Sequence, residues 1–300
     1  MQVSFIHDLN RSFKKKPFML MESTPSVVNW TTVNKLKRPA LHQVESLQAV
    51  AHGSDTVQYF QWRKGKGGCE KFHGAVVDHF PTTETRIFGE VSRLGKTLAK
   101  LDNIIGAATV PEVGIFCDWE NRWALESACG PRREGHNYIE TVTEHYRPFW
   151  SSGVSVDALC EESSLAGYKL VIAPMLYMIR PGLAERIEEF VRSGGTFVAT
   201  YMSGIVNESD LCFNNGFPGP LKKLLGIWAE EIDILYDNES VPVMAAKKNC
   251  LGLSGKYQAR QYCDIVHAEG ASVLASYGAE FYKGSPAATV NQFGKGEAYY

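Results

Sequence analysis

The first sixteen residues alternate apolar and polar positions at helical spacing and predict an amphipathic helix. The run "PFMLME" predicts a short buried strand. Residues 39–52, "PALHQVESLQAVAH", predict a second helix, with Pro39 at its start, Leu41, Val44, Leu47 and Val50 on one face and Gly53 at its end. "DTVQYFQWR" is rich in β-branched and aromatic residues and predicts a strand. Gly65, Gly67 and Gly68 mark a loop, and residues 84–100 predict a helix with Ile87, Val91, Leu94 and Leu98 inward. The order helix, strand, helix, strand, loop, helix implies parallel strands covered by helices. Two strands cannot close an α/β domain by themselves.

After "LDNIIGAATVPE" the pattern restarts. "VGIFCDW" predicts a strand and residues 136–150 a helix. "KLVIAP" predicts a strand, Pro181–Ser193 a helix ending at Gly194-Gly195, and "TFVATY" the next strand. A short helix is expected over 221–225, and the last ~70 residues are strand-rich. The boundary falls between 103 and 104, giving an open three-layer α/β domain over 104–300.

Composition narrows the function. The 300 residues are 44% hydrophobic, enough for a sizeable core in roughly two domains. A formal net charge of −2 gives no attraction for nucleic acid or an anionic membrane. No apolar run approaches the ~20 residues that span a bilayer, and the start lacks the apolar core of a secretory signal. Lys14-Lys15-Lys16 reads as a solvated helix end. The seven cysteines include no Cys-x-x-Cys pair, which argues against a disulfide framework or a zinc knuckle and for a reduced, cytoplasmic compartment.

The candidate chemistry lies in the first hundred residues. Active sites of parallel α/β folds sit at the carboxyl ends of the strands. Glu22 is at one such end, and Phe60 and Trp62 are at the next. The following loop carries Glu70 and His73 in "CEKFH". Two carboxylates, an imidazole and aromatics on one rim suit a sugar. A carboxylate there also suits the nucleophile of a retaining glycosidase, which needs a second carboxyl ~5–5.5 Å away. Blander readings stand beside this one. Glu22 alone could cap the next helix or pair with an arginine. Glu70 and His73 alone could be one solvated turn. Trp30, Phe60 and Trp62 are by default core or rim aromatics, and His52 and His79 read as structural.

The segments "PFMLMESTPSVVNW", "HGSDTVQYFQWRKGKGGCEKFHGAVVDH" and "TRIFGEVSRLGKTL" closely resemble family 42 glycoside hydrolases, the bacterial β-galactosidases. The resemblance continues at "VGIFCDWENRWALE". It implies a (β/α)8 TIM barrel, then a flavodoxin-like domain that helps build a homotrimer, then a small β domain. Residues 1–103 would be the C-terminal part of the barrel, and 104–300 the flavodoxin-like trimerisation domain. The resemblance makes Glu22 of "LMES" the nucleophile of a retaining β-galactosidase acting on terminal β-D-galactose. It gives Trp30 a place in the galactose subsite, makes Phe60 an apolar wall, and assigns Glu70 and His73 to the galactose hydroxyls. It implies no cofactor and no metal within this chain.

Departures from the family matter as much. Its acid/base glutamate follows an asparagine on an earlier barrel strand. Here Asn207-Glu208 and Asn238-Glu239 lie in the second domain, and neither suits that role. The cysteine cluster that binds zinc in some members is upstream in the family pattern and absent here. Ala40 stands where a glycine is usual, "HFPTTETRIF" is unusual after "VVDH", and the chain stops at "GKGEAYY", before the small β domain. The chain alone is therefore expected to be inactive.

The second domain is also similar to class I glutamine amidotransferases. Such an enzyme needs a cysteine on a strand-to-helix turn, and neither "MLYM" nor "MSGIVNES" supplies one. Cys117 is expected to be packed, and no GxGxxG loop is present. "DWENRWALE", with Trp119, Trp123, Asp118, Glu120 and Glu126, suits either a subunit interface or ordinary packing. The alternative to an enzyme is a non-catalytic assembly module.

Overall fold

In the computed structural model, which describes residues 1–300, β1 (Phe18–Ser23) and β2 (Ser54–Tyr59) pair in parallel, with Leu20 opposite Val57 and Ser23 opposite Tyr59. They belong to the first of two units, Met1–Val110 and Pro111–Tyr300. Helix α1 (Gln2–Lys14) precedes β1, and α2 (Leu41–Ala51) makes the crossover that parallel pairing requires. Helix α3 (Arg86–Leu98) follows the long loop after β2, capped where Thr85 Oγ1 accepts from the Phe88 N–H.

Three expectations for this unit need correcting. The strand expected over 55–63 stops at Tyr59, and Arg63 makes only an isolated bridge to Val77. Strand β1 is not buried: Phe18 and Leu20 are half-buried, while Met19, Met21 and Glu22 are exposed. It has a hydrogen-bonded neighbour on one edge only. Helix α2 buries His42, Ser46 and Ala49 rather than Leu41 and Val44, which are exposed. Its sequence carries two stripes at helical spacing, and lying on β2 selects the small polar one. The buried polar atoms find partners: His42 Nε2 meets the Tyr59 hydroxyl at 3.1 Å, and Ser46 donates to the His42 carbonyl at 2.8 Å.

Helix α1 repeats the inversion. Ser4, Phe5, His7, Asp8, Arg11 and Ser12 are buried, while Val3, Ile6 and Phe13 are more than half exposed. Asp8 accepts from Arg11 at 3.3 Å and bonds His52 Nδ1 at 2.9 Å, which makes His52 structural as expected. Ala40, before α2, has φ 68°, the left-handed region that glycine adopts freely. That gives a physical reason for the glycine which the family resemblance leads one to expect there. Alanine there costs ~1 kcal/mol.

In the second unit, β3 (Val113–Phe116), β4 (Val156–Leu159), β5 (Leu170–Ala173) and β6 (Thr196–Ala199) run parallel, with α4 (Trp119–Ser127), α5 (Tyr138–Ser151) and α6 (Leu183–Arg192) between them in sequence. The strand expected over 113–119 ends at Phe116, because Asp118 caps α4 by accepting from the Asn121 N–H at 3.0 Å. Neither α4 nor β4 follows from the sequence pattern, and the four residues of β4 are too short for periodicity to reveal.

Helix α6 buries Leu183, Ile187 and Val191, one residue per turn against the sheet. Gly194 ends it at φ 116°, and a side chain on Gly195 would strike the Phe190 ring at 2.3 Å. These contacts give the Gly-Gly pair its reason.

Beyond α7 (Lys222–Leu225) come only strands: β7 (Ile227–Ile234), β8 (Val241–Ala245), β9 (Lys256–Ala259), β10 (Tyr262–Ala268), β11 (Ser272–Tyr277), β12 (Pro286–Phe293) and β13 (Gly296–Tyr299). β7 and β10 form an antiparallel pair, and the remainder extend the sheet to nine strands in the order β4-β3-β5-β6-β13-β12-β11-β8-β9. The sheet is thus parallel up to β13 and antiparallel beyond it. Short hairpins suffice for the antiparallel half, so no crossover helices interrupt it.

Asp264 on β10 is buried. Its Oδ2 accepts from the Tyr300 hydroxyl, and its Oδ1 has no partner. Burial, only partly offset by hydrogen bonds from Tyr300 and the Met202 backbone, pushes its carboxyl up to about 6. The fold therefore binds this proton more tightly than the unfolded chain does. The resulting stability is present below the unfolded value and is lost as pH rises through about 6. Asp264→Asn is expected to gain about 1–3 kcal/mol relative to the parent between acidic and neutral pH. Paired urea melts across that range read the difference; a pH-independent difference would contradict it.

Candidate active site

The end of β1 is bound tightly to its neighbours. The Phe60 N–H donates to the Ser23 carbonyl at 3.1 Å, so the residues that follow the two strands leave side by side. Glu22 and Phe60 therefore occupy adjacent carboxyl ends of a parallel pair. The Glu22 side chain is exposed and has neither an ion pair nor a hydrogen bond, and the cap of α2 does not use it. Within residues 1–300 Glu22 neither caps α2 nor pairs with an arginine.

Beyond Glu22 the chain turns inward, and Thr24, Pro25 and Ser26 are buried. Thr24 Oγ1 lies 3.5 Å from His73 Nε2. His73 is buried, and its Nδ1 lies 3.0 Å from the Gly74 carbonyl. That contact requires a proton on Nδ1 and leaves Nε2 as the acceptor facing Thr24. The Phe60 ring meets the imidazole edge-on, with centroids 4.9 Å apart. The Gly74 N–H donates to the Val27 carbonyl at 2.7 Å, and a side chain on Gly74 would lie 2.7 Å from the Val27 nitrogen. Only glycine allows the two loops to touch there.

Glu70 and His73 share one turn, since the His73 N–H donates to the Glu70 carbonyl at 2.9 Å. They are not a solvated pair: the imidazole is buried and the carboxylate exposed. Asn29 ties the two loops again, donating to the Cys69 carbonyl at 2.9 Å. Trp30, beside it, is 73% exposed, and Trp62 is 66% exposed. Both are rim aromatics rather than core. Lys64 and Asp78 pair at 3.1 Å across the base of the loop, and His79 Nε2 reaches the Gly65 carbonyl at 2.7 Å, which makes His79 structural.

The structure thus joins Phe60, His73 and the strand end bearing Glu22 by direct contacts, and holds Glu70 and Trp30 on the loops between them. Two participants escaped the sequence reading. Thr24 sits in the turn-forming "STPS", and its hydroxyl has no local signature. Lys37 lies in a polar run that resembles any solvated loop, yet its ammonium donates to the Thr24 carbonyl at 2.6 Å and pairs with Glu45 at 2.5 Å.

The second unit offers no comparable chemistry. Cys117 is buried just past β3, and burial pushes its thiol up to about 12, so it is packed rather than reactive. Asn207 Oδ1 accepts from the Ser209 and Leu211 N–H groups, and Glu239 accepts from the Tyr236 N–H. Both Asn-Glu pairs serve local turns. Trp119 and Trp123 are exposed on α4, and the Arg122 guanidinium stacks over the Trp119 ring at 5.2 Å. No helix is long and apolar enough to cross a membrane.

Profiles of known families match the whole architecture. Residues 111–300 match one described as the β-galactosidase trimerisation domain, and residues 1–101 match one described as β-galactosidase. The chain belongs to the family 42 β-galactosidases.

Among family 42 relatives, β-galactosidase Pbg of Clostridium perfringens is 56% identical over 300 residues, which are 100% of this chain and 44% of that protein. BglY of Alicyclobacillus acidocaldarius is 59% identical over 297 residues, 99% of this chain and 43% of that protein. The solved β-galactosidase from Rahnella sp. R3 superposes with a TM-score of 0.97 at 57% identity, covering 100% of this chain and 44% of that one. Gan42B, a β-galactosidase of G. stearothermophilus, has a TM-score of 0.94 at 46% identity, over 99% of this chain and 42% of that one. It was solved as a catalytic mutant in which a glutamate is replaced by alanine. The chain therefore spans less than half the length of these relatives.

Proposed function

We propose that this chain is the part of a longer retaining β-galactosidase that carries the nucleophile, Glu22. The observation that carries the reading is an unpaired carboxylate at the carboxyl end of a parallel strand, beside Phe60 and His73. The carboxylate attacks the anomeric carbon of a terminal β-galactoside and a covalent galactosyl-enzyme forms as the leaving group departs. A carboxyl group outside this chain protonates that leaving group and then takes a proton from the water that releases galactose. Trp30 and Phe60 offer apolar faces to the pyranose, and Glu70 and His73 hold its hydroxyls, His73 by exchanging the 3.5 Å contact of its Nε2 with Thr24 for the sugar.

The inverted helices support the barrel. Val3, Ile6 and Phe13 on α1, with Met19 and Met21 on β1, are apolar and exposed. Such surface is a packing face for further barrel elements. We read the second unit as flavodoxin-like, because numbering its parallel strands in chain order gives 2-1-3-4-5 across the sheet, the flavodoxin arrangement. The match to a trimerisation domain supports a homotrimer of the longer protein. Seven unpaired thiols support a reducing, cytoplasmic setting.

The test is hydrolysis of a chromogenic β-galactoside by the longer parent and by residues 1–300 alone. The parent is expected to turn over and the 300-residue chain to be at least ~1,000-fold slower, because half of the catalytic pair is missing. Comparable rates would refute the division of labour.

A further inference from the structure

Lys37 lies fifteen positions beyond Glu22 in the chain and comes back to it in space. Its ammonium donates to the Thr24 carbonyl at 2.6 Å and pairs with Glu45 of α2 at 2.5 Å. Its own N–H donates to the Ser26 carbonyl at 3.1 Å, and its carbonyl accepts from Arg86 at 3.3 Å. Arg86 is in turn fixed by Glu90 at 3.0 Å. One residue therefore grips the segment after Glu22 at two carbonyls and fastens it to both α2 and α3. The ammonium is largely shielded, with 21% of the side chain exposed. Hydrogen bonds to a shielded charge are the stronger kind.

The other ends of this grip reach the candidate site. Thr24, held by its carbonyl, offers its hydroxyl to His73 Nε2, and His73 packs on Phe60. Phe60 closes the circuit by donating to Ser23, next to Glu22. Within residues 1–300 nothing binds the Glu22 carboxylate itself, so here its position is set by this backbone.

We propose that Lys37, clamped by Glu45, is a positioning residue that holds the Glu22 strand end and the His73 ring in register for attack. The inference rests on the reading of Glu22 as the nucleophile. Lys37 touches no reacting atom. It acts through the Thr24 and Ser26 carbonyls, and a small displacement of a nucleophile is costly even when substrate still binds.

The test uses the longer parent enzyme. Lys37→Met keeps the length of the side chain and removes the charge. We expect kcat to fall roughly 30- to 100-fold, with KM and the melting temperature little changed. Lys37→Arg retains a cation able to reach both partners and should recover most of the loss, which a merely space-filling role would not produce. A second readout is labelling by 2-deoxy-2-fluorogalactosyl fluoride. There a Glu22 oxygen bonds to C1 as the C1–F bond breaks and fluoride departs, with little need of an acid. Its rate should fall in parallel with kcat.

If Lys37→Met does not fold, Glu45→Gln, half-buried on α2, carries the test with a smaller drop in the same two rates. Unchanged kcat and labelling in the folded variant overturn the role of Lys37. If the label attaches elsewhere and Glu22→Gln retains activity, the nucleophile reading itself has failed, and the two failures are thereby told apart.

Discussion

Glu22→Gln in the full-length enzyme is expected to lower kcat for a chromogenic β-galactoside by on the order of 10,000-fold or more. The amide keeps the size and shape of the carboxylate but is a poor nucleophile and cannot carry the negative charge that stabilises an oxocarbenium-like transition state. Within residues 1–300 Glu22 is exposed and has no ion pair or hydrogen bond for the substitution to break. Neither melting temperature nor assembly should change, and KM should move by only a few-fold. Steady-state kinetics beside a thermal melt decide the matter. A variant retaining a tenth of parental kcat would remove Glu22 from the mechanism.

The largest stability effect is expected at Arg180→Met. The Arg180 guanidinium sits among four carboxylates, with Arg186 nearby on the Glu161 carbonyl. It reaches Asp118 at 3.0 Å, Glu120 at 2.5 Å and Glu162 at 3.0 Å, and it also bonds Glu161 directly. Asp118 and Glu161 are buried, while Glu120 and Glu162 are exposed. Removing the cation leaves two buried charges without their partner, which typically costs about 3–5 kcal/mol. The exposed pair adds little.

The effect has a pH signature. Burial already raises the Glu161 carboxyl above its usual range, against the pull of Arg180. Without Arg180 that rise must grow. A raised carboxyl takes up its proton in the fold before it does in the unfolded chain, so its ionisation works against the fold as pH rises. The deficit of Arg180→Met should therefore be largest near neutral pH and shrink as pH falls toward the carboxylate range. Urea melts at two pH values read it. A loss below ~1 kcal/mol at neutral pH would mean that the network is dispensable.

Several features were legible because they depend on neighbours in sequence. The helices of the first unit and the crossover from α6 to β6 follow from 3.6-residue periodicity and glycine punctuation. Glu22 stood out because an apolar run ended in a charge. What escaped was of two kinds. Strand β4 and helix α4 are too short for a period to show, and α4 is announced only by Asp118, whose capping role depends on where the chain turns. The buried face differs from the expected one on α2, and on α1 too mostly polar residues face inward. On both helices apolar residues stay exposed within residues 1–300, which periodicity alone does not reveal.

The sequence by itself determined the helices of the first unit, the family and the candidate nucleophile, because motifs such as "LMES" and "EKFH" are contiguous. Only the tertiary structure decided that Glu22 is free of partners, that His73 is buried against Phe60 and Thr24, and that Lys37 reaches back to hold the strand end. Those facts depend on residues up to 49 positions apart, and their physical reason is the parallel pairing of β1 with β2. It brings two strand ends side by side and leaves the loops beyond them to meet, a juxtaposition that no local pattern encodes.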